Sequence, residues 1–143
     1  MRESEYYHRI GAAVSPLLPD GVMLRASSAR VGIEIVAPPG VQLHGFTGMG
    51  WRDRDEHGDP ELSADELEDM GLEILNLVQD VLCETYREPW PNRGVAAVPP
   101  PGIEVTDEAV RMWFGDQGIR FSGSRRFRST RPNAGSWGWL RHR

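Results

Sequence analysis

Lysine is absent from this sequence. All sixteen basic residues among its 143 are arginine, which excludes Schiff-base chemistry and any phosphate loop that relies on lysine. Cysteine is almost absent too. A single thiol, Cys83, excludes an intrachain disulfide and a cysteine-built structural zinc site. No apolar run approaches the roughly 20 residues that a membrane span requires. The opening MRESEYYHRI carries acids where a secretory leader carries bases, so a cytoplasmic location is expected.

The remaining composition, 39% hydrophobic and 26% charged, is that of a globular chain of one ordinary domain. With 16 glycines and 11 prolines, a good fraction is expected in turns and irregular connections. The net charge of −5 conceals a sharper division. Residues 53–88 hold thirteen acids against Arg54 and Arg87, whereas residues 120–143 hold seven arginines and no acid. Such polarity within one small chain predicts folding back in cis or two kinds of partner.

Periodicity supplies the element order. Tyr6, Tyr7, Ile10, Ala13 and Val14 recur at helical spacing over residues 4–14, and Pro16 stops the pattern. DGVMLRASS and ARVGIEIVA alternate as a hairpin, and VQLHGF, 41–46, is a candidate third strand. Ser63 and Glu66 fit the S-x-x-E capping box of a helix over 63–88, which Pro89 and Pro91 end. Leu67, Met70, Ile74, Leu77, Val78, Val81 and Leu82 form its apolar stripe, widened by Leu72 and Leu75. AVRMWF and IRFSG read as a second hairpin, although a short helix capped by Thr106 competes for the first of them. The prediction is an α+β fold: one two-layer domain over 1–123, an antiparallel sheet packed by helices in the order α-β-β-(β)-α-β-β. An irregular Arg/Trp-rich tail, 124–143, follows. This element order over roughly residues 4–122, in a small acidic chain, is similar to the secretion-chaperone-like fold. The similarity implies a dimer that binds unfolded protein segments.

The stretch most suggestive of chemistry is DRDEHGDPE, 53–61, with seven ionisable side chains in nine positions. Asp53, Asp55, Gly58, Asp59 and Glu61 partly satisfy a calcium-loop template. His57 and Ala64 occupy positions that need oxygen ligands, so no metal is expected. His8, His44, His57 and His142 lack metal-site spacing, Cys83 lies among acids that suppress a thiolate, and GFTGMG is not a nucleotide loop. No catalytic residue and no cofactor are expected.

The reading that follows is a small acidic protein-interaction module, a homodimer whose partner is another protein with a basic surface. The expected contact residues are Trp51, Asp53, Asp55, Asp59, Glu61 and Trp90, with Arg125, Arg126, Arg128, Trp137 and Trp139 of the tail. The alternatives are a small enzyme using histidine and acids of 44–61, with or without a divalent cation, and nucleic-acid binding through the basic aromatic tail.

Overall fold

The computed structural model describes residues 1–27, 30–52, 58–91 and 98–122. Helix α1 (Glu3–Val14) runs into a single 3-10 turn (Ser15–Leu17), where Pro16 occupies an early position compatible with its missing N–H. Strands β1 (Met23–Ala26), β2 (Val31–Val36) and β3 (Gly48–Arg52) form one antiparallel sheet in that order. Helix α2 (Ala64–Tyr86) separates it from a second antiparallel sheet of β4 (Pro101–Val105), β5 (Ala109–Phe114) and β6 (Gln117–Ser122). The α+β composition is therefore as predicted, but β4 is additional to the predicted order, and the six strands divide between two three-stranded sheets where one sheet was expected.

Helix α2 owes its start to the expected capping box. Ser63 Oγ accepts from the Glu66 N–H, and Glu66 Oε1 accepts from the Ser63 N–H, each at 3.2 Å. The competing helix at Thr106 does not form. Thr106 Oγ1 instead accepts from the N–H groups of Glu108 and Ala109, closing the tight turn between β4 and β5. The third strand is not VQLHGF but the glycine-rich GMGWR. At Gly50 the backbone has φ +92°, and an added Cβ would lie 3.0 Å from both Gly32 Cα and the Tyr7 hydroxyl. Glycine alone suits that conformation and that approach.

One apolar core joins both sheets and both helices. Tyr6, Tyr7, Ile10 and Val14 of α1 meet Leu24, Ile33 and Ile35 of the first sheet, Leu67, Ile74, Leu75 and Val78 of α2, and Val110, Met112 and Phe114 of β5. Leu75 is fully buried, so it belongs to the core, and only Leu72 of the widened stripe stays exposed. Edge strand β1 is covered by the end of α1, where Ser15 Oγ accepts from the Leu24 N–H at 3.0 Å.

Candidate interaction surfaces

The acidic loop divides into two parts. Asp53 and Asp55 lie outside the described residues, while Asp59 and Glu61 engage the start of α1. Residue Arg2, at the N-cap of α1, provides no side-chain cap. The cap comes from far along the chain: the Asp59 carboxylate accepts from the Ser4 N–H at 2.9 Å and from the Ser4 hydroxyl. Pro60 O accepts from the Glu3 N–H at 3.0 Å, and Glu61 Oε1 pairs with the terminal ammonium at 2.6 Å. A carboxylate at a helix N-terminus satisfies free N–H groups and complements the dipole. Asp59→Ala is expected to cost about 1 kcal/mol of stability, the usual worth of a cap, measured by urea denaturation. An unchanged midpoint would remove this role.

Trp90 departs from its expected exposure. It is 8% exposed and packs edge-on against Phe114 with ring centroids 4.7 Å apart. Buried Gln79 donates through Nε2 to Trp90 O at 3.2 Å and to Pro99 O at 2.8 Å, fastening this proline-rich connection to α2. Burying so large an aromatic contributes to the core, and Gln79 satisfies the carbonyl group beside it. Trp51 lies on β3. The tail residues Arg125, Arg126, Arg128, Trp137 and Trp139 lie outside the described residues.

What the fold presents instead is the outward side of α2. The helix carries seven acids and no basic residue, and Asp69, Glu73, Asp80 and Glu84 are all exposed on it. Asp65/Asp69, Asp69/Glu73 and Asp80/Glu84 are like-charged pairs four residues apart, a spacing that destabilises an isolated helix. Burial of the opposite stripe holds the helix regardless. Beside its C-terminal half, the segment before β3 forms a shallow groove of about 250 Å³ lined by Gly45, Phe46, Leu77, Asp80, Val81 and Glu84. The groove's rim is Phe46, 87% exposed, and the His44 N–H donates to Thr85 Oγ1 at 3.0 Å to fix the segment against α2.

A second groove, of about 390 Å³, opens where α2 meets β4. Glu68, Asp69 and Leu72 face Gly102, Glu104 and Trp113 across it. Alternation along β5 buries Val110, Met112 and Phe114, leaving Arg111 and Trp113 on the outer face of the sheet. The Trp113 indole lies across β4. A Cβ on Gly102 would meet its Cε2, Cζ2 and Nε1 at 2.1–2.4 Å, so only glycine admits it. The Arg111 guanidinium stands 5.8 Å from the indole centroid. Register places Glu104, Arg111 and Arg120 side by side on β4, β5 and β6, and likewise Gly102, Trp113 and Gly118.

Trp113, Phe46, Arg111 and Arg120 were not among the residues singled out from sequence. Alternation in AVRMWF put Arg111 and Trp113 on one face, but not which face would remain outside. Among the described residues, no helix is long and apolar enough to cross a membrane. No family model matches the chain, no curated protein matches it, and no solved structure matches its fold.

Proposed function

We propose that this protein is a small interaction module that binds a basic segment of another protein along the exposed side of α2. The observation that carries the reading is the groove beside its C-terminal half, where exposed Phe46 stands next to the carboxylates of Asp80 and Glu84. Opposite charges four residues apart would stabilise the helix by themselves. Here the sign is uniform, and an exposed aromatic adjoins it. Carboxylates of one sign steer a cationic partner and raise its association rate, while the aromatic anchor slows its release. The carboxylates of Glu73, Asp80 and Glu84 would meet arginine or lysine, and Phe46 an apolar side chain between them.

The test is binding of an arginine-rich peptide across a salt series, followed by stopped-flow fluorescence. Neutralising Glu73, Asp80 and Glu84 to their amides should lower the association rate about tenfold at low salt and flatten its salt dependence. Phe46→Ala should raise the dissociation rate about tenfold. Equal binding by wild type and the triple amide variant would sink the proposal. Preference for single-stranded nucleic acid over the peptide would favour the basic face and tail instead.

A further inference from the structure

The outer face of the second sheet is polarised. Glu68 and Asp69 of α2 lie at one side, then Glu104 on β4, then Arg111 on β5, and finally Arg120 on β6. Arg111 and Arg120 are direct cross-strand neighbours, both exposed. Like charges so placed destabilise a hairpin, and Arg120 has no ion-pair partner among the described residues. Between the acidic and basic sides stands Trp113, half-buried, its indole reaching from β5 over Gly102 of β4. On its other side Gly118 adds no side chain, so the face is low on both flanks of the indole.

We propose that this face pairs two copies of the chain about a two-fold axis running along the strands, midway between β4 and β5. Such an axis exchanges the positions of the two strands. Arg111 of one copy then faces Glu104 of the other. Arg120, one strand further out, faces Glu68 and Asp69 of the second copy's α2. The indole already overlies the line between β4 and β5, so the two Trp113 rings meet on the axis. A patch that is complementary to itself under a two-fold rotation is what an isologous dimer requires. An axis across the strands would instead set acids on acids. Occupation by a second copy accounts together for the paired arginines and for the aromatic centre beside them. Three strands and a helix flank offer an interface at the small end of the specific range, so the test spans micromolar concentrations.

This surface is separate from the Phe46 groove, and its test separates the two. Sedimentation velocity of the full chain over a wide micromolar range should give a reversible monomer–dimer equilibrium that weakens with salt. Arg111→Glu and Glu104→Arg should each weaken dimerisation at least tenfold. The double exchange E104R/R111E restores opposite charges within and between copies, and should recover dimerisation to within a few-fold of wild type. Thermal melts of each variant identify any loss due to unfolding. Peptide binding at the Phe46 groove should persist in the monomeric variants. A wild-type chain that stays monomeric throughout, or single variants that dimerise as wild type does, would overturn the pairing. So would a correctly folded double exchange that remains monomeric.

Discussion

Replacing Gly11 with leucine is expected to abolish folding. Gly11 sits on the face of α1 that covers the edge of β1. A Cβ added there would lie 2.7 Å from Leu24 O and 3.4 Å from Leu24 C. Those are backbone atoms, held by pairing of Leu24 with Ile35 across the sheet and by the bond from the Leu24 N–H to Ser15 Oγ. They move only if β1 leaves β2 or α1 lifts from the sheet. Lifting α1 withdraws Tyr6, Tyr7, Ile10 and Val14 from the core together. Overpacking by a single methyl costs about 1–3 kcal/mol. Alanine also raises helix propensity by about 1 kcal/mol over glycine, so Gly11→Ala should be moderately destabilised despite a better helix. Leucine adds three more carbons at the same closed site, which brings the cost to the order of the roughly 5–15 kcal/mol that holds a domain. Circular dichroism should show no cooperative melt for Gly11→Leu. A melt within a few degrees of wild type would show that α1 packs elsewhere.

The contrast between what could and could not be read beforehand follows the same physics. Helix α2 was legible because its signals are local: the Ser63–Glu66 box, the apolar repeat and the stop at Pro89 lie within one stretch. The hairpins were legible because alternation reports side chains that are present. Strand β3 was missed because it depends on a side chain that is absent, at Gly50, where the backbone approaches Gly32. The division into two sheets was missed because alternation gives faces and hairpin partners but no pairing between distant strands. Asp59 was legible as an acid near a helix start, but the helix it caps lies 55 residues earlier. On the surface, the uniform charge of α2 was plain in the sequence. Exposure of Phe46, the outward placement of half-buried Trp113, and burial of Trp90 depended on packing that no local pattern encodes.

Tyr6→Ala is expected to remove about 3–5 kcal/mol, the range for deleting a buried aromatic. Tyr6 is fully buried, its ring lies 6.2 Å from that of Phe121, and its hydroxyl donates to Leu67 O at 2.6 Å. It thus ties α1 to α2 and to β6. Gly71 makes this possible, since a Cβ there would lie 2.3 Å from the hydroxyl. Tyr6→Phe keeps the ring and loses only the hydrogen bond, so its cost should be near 1 kcal/mol. The pair of variants separates packing from bonding, and pH gives an independent check. Burial, reinforced by Tyr7 and Glu68, pushes the Tyr6 phenol far above its ordinary value. In the unfolded chain the same phenol ionises near the ordinary tyrosine value of about 10. The folded state therefore keeps a proton that the unfolded state releases, and stability from this group is complete below that pH and lost above it. Urea denaturation of wild type should weaken by roughly 1 kcal/mol per pH unit beyond that point through this group alone. Tyr6→Phe lacks this contribution, so its stability should fall less steeply and approach that of wild type as pH rises. Parallel curves for the two proteins would show that the Tyr6 hydroxyl ionises as freely in the folded chain as in the unfolded one.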